Sequence, residues 1–334
     1  EQQSAQQLAR QIIEDHTAVE QLAQVELQPE RFDRKLWRAL AEAGLLGLAI
    51  DEEHGGMGFG FYSLCLLCEE VGRSVAPVPV IPVLASAATT LQKFSGESVQ
   101  QSWLPAIARG EVIVTAALEE HLNEDPAAPA TIATEIETGW RLQGSKICVP
   151  LAAQAQGVLL SATCGDELLV LLVDPAAPGV NLEAQLVTSG ETRYQLQLDD
   201  ADAPASALVA RGEEAVAAMR WAQQATRTAV CATALGLCDS MMRMTGSYTS
   251  EREQFGRAIA TFQAVSHRVA DCYIDVECLR LATQQAASLI DQGRPAAEAV
   301  LMAKIWCGDV IHRVSQAAQH CHGGTGVDRD YPLY

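Results

Sequence analysis

The chain has 334 residues, 49% of them hydrophobic and 5% aromatic, and carries a net charge of −19. That length suits two or three packed units, and the apolar content is that of a helix-rich globular protein, which excludes a disordered chain. A surface of that sign repels nucleic acid and anionic membranes, so an anionic ligand here needs a local basic patch.

Residues 1–112 read as an N-terminal α-helical domain. Apolar residues recur at helical spacing from Ala5 to Leu27 and from Asp33 to Leu46, followed by a polar glycine-rich loop, Asp51-Glu52-Glu53-His54-Gly55-Gly56-Met57-Gly58. A further helix is expected from about Tyr62 to Arg73, where Pro77 and Pro79 break the pattern, with short helices up to Trp103-Leu104-Pro105. Residues 113–208 change character. Strand-like runs cover Val112–Leu118, Trp140–Leu142, Gly157–Ser161, Leu168–Val173 and Tyr194–Leu198, separated by turn material such as Cys164-Gly165-Asp166 and Ser189-Gly190. This block is expected to be a small antiparallel β domain. Residues 209–334 return to helix. One helix runs from Glu213 to about Ser250 with a break near Gly246, and a second from Phe262 to Asp291, roughly 45 Å long at ~1.5 Å per residue. A third starts at Pro295 and runs to about His320, and the three form a bundle. The expected fold class is α+β, in the order helical domain, β domain, helical bundle.

Ten cysteines are scattered, mostly through apolar stretches, which reads as reduced core thiols of a cytoplasmic protein rather than a disulfide framework. No run approaches the roughly 20 apolar residues of a membrane span. The pattern is already helical at Glu1 and is cut at Tyr334, as expected of a piece of a longer chain. Cys65-x-x-Cys68 and His320-x-His322 each lack further ligands at metal spacing, so no metal is expected.

Two motifs stand out. Arg252-Glu253-Gln254-Phe255-Gly256 is followed by Phe262-Gln263, and His322-Gly323-Gly324-Thr325-Gly326 lies near the end of the chain. The bland readings are surface decoration for Arg252 and a helix cap with a turn for the glycines. The functional readings are a guanidinium that forks onto a pyrophosphate, aromatic rings of Phe255 and Phe262 against a flat heterocycle, amides of Gln254 and Gln263 as hydrogen-bonding groups, and bare backbone N–H groups close to phosphate or ribityl oxygens.

In this order, across an α-β-α chain, these motifs resemble the acyl-CoA dehydrogenase family over nearly the whole length. Glu69-Glu70-Val71-Gly72, Trp103-Leu104-Pro105 with Gly110-Glu111, Gly144-Ser145-Lys146, Pro178-Gly179-Val180 and Ala234-Leu235-Gly236-Leu237 fit the same family. The resemblance implies FAD as cofactor and α,β-dehydrogenation of an acyl-CoA thioester. In that reaction a carboxylate takes the α proton and the β hydrogen leaves as hydride to the flavin. It also implies that Arg252, Gln254, Phe255, Phe262, Gln263, His320, Gly323, Gly324 and Gly326 contact FAD, with an electron-transferring flavoprotein as acceptor. His320 stands where the family usually has Gln.

The resemblance also exposes losses. One family position for the base falls at Thr226, next to Arg227, where a hydroxyl is too weakly basic to serve; the other lies beyond residue 334. Glu251 and Glu253 are nearby carboxylates, but in a loop aimed at the far end of the cofactor. In the β domain, the family's Thr-Glu-Pro-Gly loop is replaced by Ala117-Leu118-Glu119-Glu120-His121-Leu122-Asn123-Glu124-Asp125-Pro126, whose added carboxylates oppose a reduced, anionic flavin. The chain thus keeps the elements that in this family reach a neighbour's FAD and lacks those that serve its own. It resembles the catalytically degenerate subunit of heterotetrameric (α2β2) bacterial dehydrogenases of steroid side-chain degradation, whose related partner subunit supplies the base. The catalytic residues of this chain stay unassigned. The alternatives are a self-sufficient homotetrameric dehydrogenase with its base in the following tail, and a flavin-free scaffold subunit.

Overall fold

The structure, a computed structural model, describes residues 2–333. The chain forms two compact units, one from residues 1–23, 65–76 and 227–334, the other from residues 24–64 and 77–226.

In chain order the helices are α1 (Gln2–Glu14), α2 (Val19–Glu26), α3 (Arg34–Glu42), α4 (Gly60–Arg73), α5 (Thr89–Phe94), α6 (Glu97–Ala108), α7 (Glu213–Glu251), α8 (Gln263–Asp291) and α9 (Ala297–His322). The single helix expected from Ala5 to Leu27 is two. His16 Nδ1 bonds the Ile12 carbonyl at 2.8 Å and the Thr17 hydroxyl donates to the Ile13 carbonyl at 2.8 Å, so side chains take over the backbone acceptors that continue a helix. The break expected near Gly246 is absent. α7 passes through it, and the hydroxyls of Thr245, Thr249 and Ser250 bond carbonyls one turn back along an unbroken helix.

The second unit is built on one eight-stranded sheet with β1 (Val114–Ala117), β2 (Ile132–Ile136), β3 (Gly139–Pro150), β4 (Gly157–Cys164), β5 (Glu167–Val173), β6 (Val180–Gln185), β7 (Arg193–Pro204) and β8 (Leu208–Arg211). The order is β6-β7-β3-β2-β4-β5-β8, with β1 beside β4. The sheet is mixed, not purely antiparallel: β1 runs parallel to β4, with Val114 opposite Gly157 and Ala117 opposite Leu160. β1 and most of β4 and β5 are buried, and such continuous apolar runs are what a strand covered on both faces requires. A π-helical segment, Ile81–Ala88, leads into α5.

The first unit packs α4 against the second half of α7 with backbones in contact. A Cβ on Gly72 would fall 1.8 Å from the Thr233 carbonyl oxygen, and one on Gly236 1.8 Å from that of Glu69. Around this crossing lie three carboxylates, Glu69, Glu70 and Asp239, all buried. Glu70 accepts from Arg10, Gln6 and Arg73 at 2.7–3.1 Å. Glu69 accepts from Arg73 at 3.0 Å and Arg280 at 2.8 Å. Asp239 pairs with Arg73, with Arg243 at 2.9 Å and with Arg280 at 3.2 Å. Burial pushes the Glu70 and Asp239 carboxyls up, but these guanidinium partners outweigh it and hold both below the usual carboxylate range. No helix among the described residues is long and apolar enough to cross a membrane.

Candidate functional site

In the second unit, the segment that leaves β1 turns back on itself. Glu120 N–H donates to the Asn123 carbonyl at 2.9 Å and Asn123 N–H returns to the Glu120 carbonyl at 3.0 Å, with Leu122 in the left-handed region at φ 58°. The Asn123 and Asp125 side chains take the Asp125 and Ala127 N–H groups. Arg220 pairs with Asp125 at 2.9 Å and the Gln223 amide donates to the Glu124 carbonyl at 3.0 Å, which ties the loop to the first turns of α7. The loop thus consumes much of its own hydrogen-bonding capacity.

Glu120 is not a free charge. Its carboxylate meets Lys146 Nζ at 2.7 Å and accepts from the Thr131 hydroxyl at 2.6 Å, Thr131 N–H at 3.0 Å and Ala130 N–H at 2.5 Å. Lys146 is 1% exposed. Burial pushes the Glu120 carboxyl up, but the Lys146 charge and these donors outweigh it and hold it at about 2. Burial likewise pulls the Lys146 ammonium down against the pull of Glu120, and with several donors on the carboxylate we read the pair as ionised. The expectation that added carboxylates oppose a reduced flavin is therefore corrected for Glu120, whose charge is neutralised. Glu119 remains exposed, with its carbonyl accepting from Ile147 N–H at 2.9 Å.

Thr226 sits on α7, half-buried. Its hydroxyl donates to the Ala222 carbonyl at 2.6 Å and lies 2.7 Å from the Ser86 hydroxyl of the π-helical segment. Trp221, one turn earlier, is packed by Phe61, Phe94 and Lys93 and donates to the Thr89 hydroxyl at 3.1 Å. Among the described residues no carboxylate is in hydrogen-bonding contact with Thr226.

In the first unit, α7 ends at Glu251 and the chain makes a short hairpin from β9 (Glu253–Gln254) and β10 (Arg257–Ala258). Phe255 (φ 56°) and Gly256 (φ 77°) form its tip, both left-handed, as a two-residue turn of right-handed twist requires. Ile259 N–H donates to the Arg252 carbonyl at 2.8 Å and closes the base. Phe255 is 93% exposed, an unusual position for a large apolar ring with φ above zero. It meets Phe262 edge-on at 6.1 Å, and Arg257 lies 4.2 Å over the Phe262 ring. The Arg252 guanidinium is exposed and has no hydrogen bond or ion pair among the described residues. The Gln254 side-chain amide donates to the Glu253 carbonyl, and Gln263 is exposed at the start of α8. Glu251 accepts from Ser247 at 2.9 Å, and Glu253 is exposed.

The glycine segment after α9 divides by cause. Gly323 has φ 59° and ψ −131°, a conformation that only glycine holds easily. Gly326 is packed, since a Cβ there would meet Gln319 Oε1 at 2.7 Å. Gly324 is exposed, with ordinary φ and nothing within 4 Å of a Cβ, so this chain supplies no packing reason for it. His320 is exposed; His322 is buried with Nδ1 on the Ala318 carbonyl at 2.9 Å. No group of three metal-ligating side chains is placed to hold a metal among the described residues. Burial pushes the Cys65 thiol up and the Cys68 thiol up to about 12, which makes both unreactive. Sequence reasoning missed Ser86, the Glu120–Lys146 pair and the ring stack around His322, because each depends on partners far apart in the chain, and it missed Arg257, whose contact with Phe262 is local but depends on the hairpin.

The acyl-CoA dehydrogenase N-terminal domain family matches residues 1–111, and the acyl-CoA dehydrogenase C-terminal domain family matches residues 216–334. Acyl-CoA dehydrogenase FadE27 of Mycobacterium tuberculosis is 34% identical over 313 residues, covering 91% of this chain and 82% of the relative. Among solved structures, the Tcur3481-Tcur3483 steroid ACAD G363A variant superposes with a TM-score of 0.91 at 42% identity, over 99% of this chain and 89% of that one. The ChsE4-ChsE5 complex from Mycobacterium tuberculosis superposes with a TM-score of 0.93 at 33% identity, again over 99% and 89%.

Proposed function

Because the chain belongs to the acyl-CoA dehydrogenase family, we propose that it is one subunit of an FAD-dependent heteromeric dehydrogenase whose related partner supplies the catalytic carboxylate. The observation that carries this reading is a contrast within the chain. At the hairpin the Arg252 guanidinium and the Phe255 ring stand exposed, the guanidinium without a hydrogen bond or ion pair among the described residues, whereas the loop after β1 and the hydroxyl of Thr226 are spent on contacts inside the chain. Side chains left unsatisfied at the surface fit a ligand brought by another subunit, and a closed loop does not fit a ligand of its own.

The residues fit the adenine and pyrophosphate end of FAD. Arg252 would fork onto the pyrophosphate, where its planar guanidinium suits paired phosphate oxygens. Phe255, with Phe262 behind it, offers a ring face to a flat heterocycle. Gln254, Gln263 and His320 offer hydrogen bonds, and Gly323 and Gly324, with Gly326 packed behind them, bring the backbone close to phosphate or ribose oxygens. When bound, FAD supplies the redox step, accepting hydride from the β carbon of an acyl-CoA thioester. Proton abstraction needs a positioned base, which Thr226 is not.

Two similar structures support a substrate class. One similar structure is described as a steroid ACAD, and the other is a complex of two different proteins. The first supports a steroid-type acyl-CoA and the second a heteromeric assembly; an electron-transferring flavoprotein as acceptor and a cytoplasmic setting belong to the same proposal.

The test is to purify the chain alone and co-expressed with the dehydrogenase subunit encoded beside it, then measure flavin absorbance per subunit and native mass. One flavin per two chains, seen only in the complex, is expected. One flavin per chain in a homotetramer of this protein alone would overturn the reading.

A further inference from the structure

Two segments assigned above to the same cofactor are about seventy residues apart in sequence, and one imidazole joins them. Tyr248 lies in the last turn of α7, and its carbonyl accepts the Arg252 N–H at 2.8 Å. Its ring stacks on His322 with centroids 4.3 Å apart and planes 26° apart. His322 immediately precedes Gly323, where the backbone takes its glycine-only conformation. Tyr331 completes a three-ring cluster, 5.3 Å from His322 and 6.4 Å from Tyr248. The turn between is held by Gln319, whose amide donates to the Gly326 carbonyl at 2.9 Å.

The imidazole works here mainly as a ring. It is 4% exposed, its Nδ1 caps the Ala318 carbonyl, and its Nε2 is buried with no hydrogen-bond partner among the described residues. An unsatisfied buried nitrogen disfavours this residue on hydrogen-bonding grounds, so the stack must compensate.

We infer that His322 is a positioning residue: stacked on Tyr248, it fixes the Gly323–Gly326 turn against the Arg252 hairpin so that both engage one dinucleotide. This rests on the functional reading above. A dinucleotide is long, and two contact segments grip it together only if their separation is set beforehand; otherwise the binding free energy goes into ordering them. The ligand class is a pyrophosphate-bridged dinucleotide, and the atoms positioned are backbone N–H groups and the Arg252 guanidinium.

The test uses the co-expressed complex after flavin removal. FAD is titrated back by fluorescence, and the melting temperature of the flavin-free complex is recorded alongside. His322→Ala is expected to weaken FAD binding roughly three- to tenfold, the worth of one ring stack. His322→Phe, which keeps a ring and removes the unsatisfied nitrogen, should restore binding. Combined with Arg252→Ala, His322→Ala should add less than its separate effect, because one segment can no longer be aligned with a contact already lost. If Arg252→Ala weakens binding and His322→Ala does not, the inference fails while the functional reading stands. If His322→Phe binds as poorly as His322→Ala, or the double variant is fully additive, the stack does not align the segments. If Arg252→Ala itself has no effect, the functional reading fails and the inference with it.

Discussion

The Ser86 and Thr226 hydroxyls meet at 2.7 Å, and the same Thr226 hydroxyl donates to the Ala222 carbonyl at 2.6 Å. The position we propose to correspond to the family's base thus carries a hydroxyl engaged by two neighbours of its own chain.

Thr226→Glu alone is therefore expected to leave the isolated chain inactive. The new carboxylate displaces the Ser86 contact, but the closed turn from Glu120 to Asn123 is untouched and still offers no seat for a flavin ring. The assay is flavin bleaching on addition of an acyl-CoA, and robust bleaching by this single variant would show that the loop is not the obstacle.

Arg252→Ala should lower the FAD content of the assembled complex, at a cost of about 1.5–3 kcal/mol for a lost charge-assisted hydrogen bond. Because the guanidinium has no hydrogen bond or ion pair among the described residues, the melting temperature of the flavin-free complex should not move. Unchanged flavin occupancy would sink the proposed contact.

Glu120→Gln removes one member of a buried pair and leaves the Lys146 charge uncompensated, which typically costs about 3–5 kcal/mol. The wild-type pair also has a pH signature. A carboxyl held at about 2, against an ordinary value of 4.5, adds stability that is complete above 4.5 and is lost as pH falls toward 2. Denaturant midpoints between those values should fall more steeply for the wild type than for Glu120→Gln. Parallel slopes would mean the pair is not ionised.

Arg73→Met tests the other unit. Arg73 serves Glu69, Glu70 and Asp239 at once, so its loss leaves three buried carboxylates short of positive charge. A loss of roughly 3–5 kcal/mol is expected, measured by chemical denaturation. If the variant is as stable as wild type, Arg10, Arg243 and Arg280 suffice.

The sequence was most readable where structure is local. The helices of both ends announce themselves by period, and the Arg252-to-Phe262 spacing marks a loop, which the structure shows to be a hairpin. The rest depended on distant partners. β2 and β6 alternate polar residues on exposed faces, so neither carries the continuous apolar run that marked β4 and β5. The parallel pairing of β1 with β4 brings together residues 43 apart in sequence, which no hairpin signal encodes. Gly246 looked like a helix break, but the second half of α7 packs within the first unit and tertiary contact outweighs one weak propensity. Glu120 read as surplus charge because Lys146 lies 26 residues away. Within the site, the Arg252-to-Phe262 segment was singled out by its motif, whereas the stack of Tyr248 on His322 was not, since Tyr248 belongs to no motif and the two rings lie 74 residues apart.

The crossing at Gly72 and Gly236 carries a lesson about how an enzyme scaffold can be repurposed. A methyl group at either position would drive one helix backbone through the other, so these two sites tolerate almost no change. Ten residues earlier on the same helix, Thr226 carries no such steric demand. Geometry and chemistry are thus held by separate residues of one rod. A helix of this design can change the side chain at 226 without disturbing the backbone contact at 72 and 236, so the chemistry it presents and the packing it secures can vary independently.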